Sequence, residues 1–185
     1  MVTSFKGADS ERVLEECVFK IRRNGRAERL TYQQLYAAAH RAWRNGSFHS
    51  AQRIFEEMSA AVSCGPRVEI LRAHCLAMQS DFSGCSSVLH RALPKEQYGE
   101  AEGELHDLFV LWKVGLLVDV KSGLQELMTE HPELPVLSLM LADLLQLSGA
   151  YALSEQFLRR AMDGDSADGA ITFVARESLR KLNQN

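Results

Sequence analysis

The sequence predicts an all-α protein: an α–α superhelix of about four helical hairpins, with an extra N-terminal helix and a C-terminal capping helix. Three observations carry this expectation. A small residue returns in one frame at Ala51, Cys85, Gly123 and Ser154, at intervals of 34, 38 and 31. Three positions before each stands a large apolar residue (Phe48, Phe82, Val120, Tyr151), and four positions after each stands another (Phe55, Leu89, Leu127, Leu158). A period of about 34 residues marks stacked helical hairpins. Second, twelve positions before each small residue lies a further contact residue: Ala39, Ala73, Leu111 and Ala142. Third, turns at Asn45-Gly46-Ser47, Gln79-Ser80-Asp81 and Ser148-Gly149-Ala150 separate the two members of a pair. Gly46 and Gly149 suit the left-handed position that ends a helix. The third hairpin has Val118-Asp119 at that place, which predicts a degenerate turn.

The frame has a local cause. Residues three and four apart share one helix face, so Phe48, Ala51 and Phe55 form one apolar stripe. The small central residue admits a neighbouring helix, and the large ones fill the space beside it. Read in order, residues 1–8 are expected to be a disordered N-terminus. Residues 9–30 hold an amphipathic helix and linker. That helix runs near 9–24, opens at Asp9 or Ser10, closes at Gly25 and carries Val13, Leu14, Cys17, Val18 and Ile21 on one side. Hairpins follow near 31–45 with 48–62, 66–79 with 82–93, 103–117 with 119–130 and 134–148 with 151–163, so that four hairpins fill 31–163. Pro66, Pro94, Pro132 and Pro135 fall at hairpin edges and leave helix interiors unbroken. The polar stretch Pro94 to Gly103 lies in the longest interval and reads as an extended loop. In the segment 164–185 a last helix near 168–183, capped by Asp168, places Ile171, Val174, Ala175, Leu179 and Leu182 on one side and Arg176, Arg180 and Lys181 elsewhere. A repeat stack needs such an end helix with a polar outer face.

The run Leu35-Tyr36-Ala37-Ala38-Ala39 through Gly46-Ser47-Phe48, Ala51 and Phe55 resembles the tetratricopeptide repeat (TPR) family. So do Ala142, Gly149, Tyr151, Ser154, Leu158 and Ala161, and, less fully, Ala73, Phe82, Cys85, Leu89 and Ala92. The third unit keeps Gly123 and Leu127, with Glu130 where a small residue is usual. The family's first-helix Trp and Leu-Gly are missing from all four units. The resemblance covers roughly residues 31–163 and implies a right-handed solenoid that binds a protein partner. A weaker resemblance, from Gln34-Leu35-Tyr36 through Gly46, Phe48, Ala51 and Phe55 with an amphipathic helix before it, is to the class II chaperones of bacterial type III secretion. It implies an acidic protein that dimerises through its N-terminal region and keeps a secreted translocator unfolded in a concave groove.

Composition narrows the function classes. The chain has 185 residues, a formal net charge of −3 and 46% hydrophobic residues, ordinary for one folded domain. Residues 1–60 carry 10 basic and 7 acidic side chains, whereas residues 94–170 carry 5 and 14. Lys20, Arg22, Arg23, Arg26 and Arg29 form a basic cluster, read as cations at a helix C-terminus. The acidic second half and a pI near 6.1 argue against nucleic acid, whose phosphates need positive charge. The longest apolar stretch, Leu105 to Val120, is broken by His106, Asp107, Lys113 and Asp119, so no membrane span is expected. No signal peptide is read at the N-terminus, and a cytoplasmic protein is expected.

No catalytic or cofactor motif is visible, and the chain reads as a non-enzyme with no cofactor. Cys17, Cys64, Cys75 and Cys85 make no C-x-x-C pair, and Cys85 reads as a small buried apolar residue. The six histidines lack zinc spacing, and His74-Cys75 with Cys85 and His90 is a poor ligand set, so no metal is expected. Asp163 to Gly169 has the look of a calcium loop but lacks a ligand at Ala167 and again at Val174, which leaves an inter-helix turn.

What the TPR resemblance implies about the site is a concave face lined by the first helix of each hairpin. The matching positions are Gln33, Tyr36, His40, Trp43 and Arg44, then Arg67, Ile70, His74 and Met78, then Leu105, Leu108, Trp112 and Leu116, then Leu139, Asp143 and Gln146. Aromatic and apolar anchors suit an amphipathic helix or an extended apolar peptide. For Tyr36, Trp43, Leu108, Trp112 and Leu116 the other reading is core. Tyr36, His40, Leu71, Leu105 and Phe109 replace the cations with which some relatives clamp a terminal carboxylate, so that mode is not expected. The N-terminal helix has three uses consistent with its pattern: cap, groove plug, or the interface of a homodimer.

Overall fold

The computed structural model describes residues 18–23, 26–62, 64–93, 101–165 and 169–184. They fall into two compact units, Met1–Ser63 and Cys64–Asn185. Helices make up all regular structure but one β-hairpin among the described residues.

The first unit opens with that hairpin. Strands β1 (Val18–Arg23) and β2 (Arg26–Thr31) pair antiparallel, from Val18 opposite Thr31 to Arg23 opposite Arg26. This corrects the expected helix near 9–24, whose last residues are strand; its first part, 9–17, and the segment 1–8 lie outside the described residues. The physical reason is in the sequence. Phe19-Lys20-Ile21-Arg22 alternates apolar and basic residues, a period of two, and Asn24-Gly25 is the pair that favours a two-residue hairpin link. Thr31 then caps helix α1 (Tyr32–Arg44): its Oγ1 accepts from the Gln34 N–H at 3.3 Å, and Gln34 Oε1 accepts from the Thr31 N–H at 2.9 Å. Helix α2 (Phe48–Ala61) packs back on α1. Leu35, Ala39 and Trp43 of α1 and Ala51, Phe55 and Met58 of α2 are buried.

The second unit holds α3 (Pro66–Met78), α4 (Phe82–Ala92), α5 (Glu102–Lys113), α6 (Leu117–Glu130), α7 (Pro135–Leu147), α8 (Tyr151–Gly164) and α9 (Ala170–Leu182). Each helix packs on the next, an array consistent with an α–α superhelix. In addition α3 packs directly on α7, and α9 packs on both α3 and α7 as well as on α8. Helix α7 is therefore surrounded: every residue from Val136 to Leu145 is buried.

All four hairpins share one turn. Gly46, Ser80, Gly115 and Gly149 have φ of 74°, 60°, 80° and 77°, and they follow one another at intervals of 34, 35 and 34. The N–H one residue further on reaches back over the end of the first helix in each: Ser47 to Ala42 O, Asp81 to Leu76 O, Leu116 to Leu111 O and Ala150 to Leu145 O, at 2.8–3.1 Å. These are Schellman closures, which satisfy helix-end carbonyls and require the left-handed residue. The third turn is thus Val114-Gly115-Leu116 and is regular, not the degenerate Val118-Asp119 expected. Helix α5 accordingly ends at Lys113 and α6 begins at Leu117.

The turn resets the register of the third hairpin. Five residues after the left-handed position come Ala51, Cys85, Val120 and Ser154, all buried. Twelve before these come Ala39, Ala73, Leu108 and Ala142. Val120 and Leu108, not Gly123 and Leu111, are the counterparts of the small residues elsewhere. At the fourth hairpin the contact is direct: Ser154 Oγ donates to Ala142 O at 3.0 Å. Tyr151, expected in the buried stripe, is 60% exposed.

Candidate protein-binding face

The sixteen positions read from the sequence as a groove divide by unit. In the first unit, α1 stacks its rings along one side. Tyr36 and His40 lie 5.8 Å apart, His40 and Trp43 5.7 Å, and Tyr36 tilts against Phe55 at 6.3 Å. Spacings of four and three residues put these rings on one helix face. Tyr36 and His40 are half-buried, Arg44 is exposed, and Trp43 is wholly buried, which makes Trp43 part of the core.

In the second unit Ile70 and His74 of α3, Leu108 and Trp112 of α5, and Leu139 and Asp143 of α7 are all buried; Met78 is half-buried and Arg67 exposed. Leu105 is buried too, but Leu116 is a 48% exposed turn residue and not part of a groove-lining helix. The α3–α7 positions do not form an open groove, because the chain covers them with α9. Ile171, Thr172, Val174, Ala175, Glu177, Ser178 and Leu179 of α9 are buried. At about 100° per residue these span about 220° of the helix circumference. A helix that only capped an array would bury one stripe, so α9 is more than the polar-backed cap expected.

Polar contacts mark the same place. His74 Nδ1 lies 2.8 Å from Asp143 Oδ1, the ring N–H donating to the carboxylate, and both side chains are buried. This contact ties α3 to α7 across 69 residues of chain. The Arg67 guanidinium sits 5.1 Å from the Phe173 ring centroid, a cation–π contact between α3 and α9. Burial lowers the Lys181 ammonium to about 8, opposed by the charges of Cys75 and Asp143. Burial likewise pushes the Cys75 thiol up to about 12, with Asp143 adding to it and Lys181 opposing. Cys85 is raised well above its ordinary value by burial and by the Asp143 and Asp81 charges. Thiols held neutral are poor nucleophiles and poor metal ligands. Asp165 fastens the start of α9, its Oδ2 accepting from the Thr172 N–H at 3.0 Å. A side chain on Gly169 would collide with that carboxylate, so the glycine leaves room for the cap.

Sequence reasoning passes over Phe173, Glu177 and Lys181 as site residues. The available signal is the breadth of the apolar face on α9 and its charge, three basic residues against one acidic. Elsewhere in the unit, a shallow groove of about 350 Å³ between α6 and α8 is lined by Gln125, Met128, Thr129, Pro132, Phe157 and Arg160. Among the described residues no cluster of three or more His, Cys, Asp or Glu could hold a metal, and no helix is long and apolar enough to cross a membrane. No family model, curated protein or solved structure matches the chain.

Proposed function

We propose that this chain is a non-catalytic, TPR-like helical-repeat module that binds a partner protein by holding an amphipathic helix of that partner. One observation carries the reading: the inward face of α3 and α7 is already seated with a helix, α9, whose buried residues run from Ile171 to Leu179. A surface complementary to one amphipathic helix has the width, apolar anchors and polar fixing points that helix-in-groove recognition uses. The hairpin intervals of 34, 35 and 34 support the repeat character, since they match the TPR period. The neutral, buried thiols of Cys75 and Cys85 and the His74–Asp143 contact serve as structural pins in this reading.

The test is selection of 18-residue peptides against the immobilised full chain, followed by anisotropy titration. Amphipathic helical sequences are expected to enrich and to bind at least tenfold tighter than scrambled versions of themselves. Equal binding by the scrambled peptides would remove helix recognition as the function.

A further inference from the structure

We propose that His90 and His106 form a two-histidine site for a divalent transition cation of the imidazole-preferring class (Cu2+, Ni2+ or Zn2+), which clamps α4 to α5. The inference stands on its own geometry and does not depend on the binding-module reading.

The packing of α4 on α5 makes the pair. His90 follows the buried Val88 and Leu89 of α4, and His106 follows the buried Leu105 of α5, so both rings stand at the rim of one helix–helix contact. Their centroids are 5.8 Å apart, with the ring planes crossed at 63°. Phe109, buried and three residues after His106, meets the His90 ring edge-on at 6.0 Å and 81°, which braces that ring from the side. Sequence spacing hides the pair, because sixteen residues and a change of helix separate its members.

The separation fits ligation. A cation held about 2.1 Å from one nitrogen of each ring lies about 3.2 Å from each ring centre, and a tetrahedral angle then puts the centres about 5.2 Å apart. The rings need to close by only about 0.6 Å, which small χ rotations of two exposed side chains supply. Neither ring is committed elsewhere: among the described residues no hydrogen bond or ion pair uses His90 or His106. No third His, Cys, Asp or Glu among the described residues joins them. Two ligands at an exposed place leave the other positions to water, unlike a structural site, which closes with four protein ligands. Imidazole donors suit Cu2+, Ni2+ and Zn2+, with Cu2+ the tightest.

The electrostatics favour a cation. Glu102, Glu104 and Asp107 flank His106 on α5, against Arg91 beside His90 on α4, and all four are exposed. His90 lies in the last turn of α4, where the helix dipole attracts positive charge. His106 stands beyond the first turn of α5, where the opposite effect has faded.

The experiment is titration of the untagged full chain with Ni2+, followed by calorimetry, with Mg2+ as the control cation. Wild type is expected to bind one Ni2+ at least tenfold more tightly than H90Q or H106Q. Its urea midpoint is expected to rise with Ni2+ and not with Mg2+, because a cation that binds only the folded pair stabilises it. The rise should vanish in either variant. A second measurement needs no variant: hydrogen–deuterium exchange at the imidazole Cε1–H of wild type, read by mass spectrometry. Ni2+ is expected to slow it at least threefold at His90 and His106 and to leave the other four histidines unchanged. Equal affinity in wild type and the variants, or slowing confined to other histidines, would overturn the proposal and leave the pair a surface ring contact.

Discussion

Ser80 offers the sharpest test of how the hairpins are built. It is the one non-glycine residue with positive φ among the described residues, at 60°, and it occupies the place of Gly46, Gly115 and Gly149. A side chain in the left-handed region costs about 1–2 kcal/mol. Glycine returns about 0.4–1 kcal/mol of that through its greater freedom in the unfolded chain. Ser80→Gly therefore stabilises by about 0.5–1 kcal/mol, since the N–H donations of Ser80 to Ala77 O and of Asp81 to Leu76 O survive the change. Gly115→Ala destabilises by a similar amount. The nearest atom to its new methyl group, Phe82 Cδ2, would lie 3.6 Å away, an ordinary contact, so backbone strain is the whole effect. Urea denaturation checks both. The midpoint should rise by a few tenths molar for Ser80→Gly and fall for Gly115→Ala, at an m-value of about 2 kcal/mol/M that does not change. A lower midpoint for Ser80→Gly would show that the Schellman turn does not set hairpin stability.

Three further outcomes are expected. Cys85→Leu overfills a site that is 1% exposed and destabilises by about 1–3 kcal/mol by the same assay; an unchanged midpoint would mean that the site has slack. Asp143→Ala removes the acceptor 2.8 Å from His74 Nδ1 and costs about 1–3 kcal/mol; a cycle with His74→Phe should show coupling, and additive effects would mean that the contact carries no energy of its own. Stability should climb with pH above about 8, because an unfolded Lys181 keeps its proton up to 10.5 while the folded one releases it near 8. Above the ordinary thiol value of 9.0 the trend reverses, because Cys75, up to about 12, and Cys85 both keep their protons in the fold and lose them in the unfolded chain, and together they outweigh Lys181. Lys181→Met should flatten the climb, and a wild-type midpoint that falls between pH 8 and 9 would refute the assignment.

The helical part of the fold is legible in the sequence because period and punctuation agree. Pro66 and Pro135 start α3 and α7, and glycines close α1 and α7, so sequence places hairpins one, two and four to within a residue or two. The β-hairpin is not legible, because Val18 and Ile21 also fit a helix stripe, and Gly25 serves equally as a helix stop or as half of an Asn-Gly link. The groove escapes for a reason no local pattern contains. Ile70, His74, Leu139 and Asp143 do share the inward face expected of them, but what covers that face is set by a helix about 100 residues later in the chain than α3. Trp43 and Trp112 illustrate the same difficulty on a small scale. Both stand eight residues before the central buried position of their hairpins, and both are wholly buried. An aromatic residue at an amphipathic boundary reads as anchor or as core with equal ease until its neighbours are known.

The third hairpin shows which feature of the repeat is primary. Side-chain spacing alone places its small residue at Gly123, giving intervals of 38 and 31 where the backbone turns give 35 and 34. The four turns repeat the same hydrogen bond and the same left-handed residue whatever the side chains do. The buried residues at this level, in contrast, are Ala39 and Ala51, Ala73 and Cys85, and Ala142 and Ser154, but Leu108 and Val120 in the third hairpin. Two larger residues at that level would push α5 from α6. Gly123, about one turn further along α6, offsets this: a Cβ there would come within 2.5 Å of Leu108 Cδ2, so Leu108 occupies the space the glycine leaves. The small residue has moved along the helix while the turn has not. Backbone closure therefore sets where each hairpin bends, and the side chains at its crossing need only sum to a fixed volume.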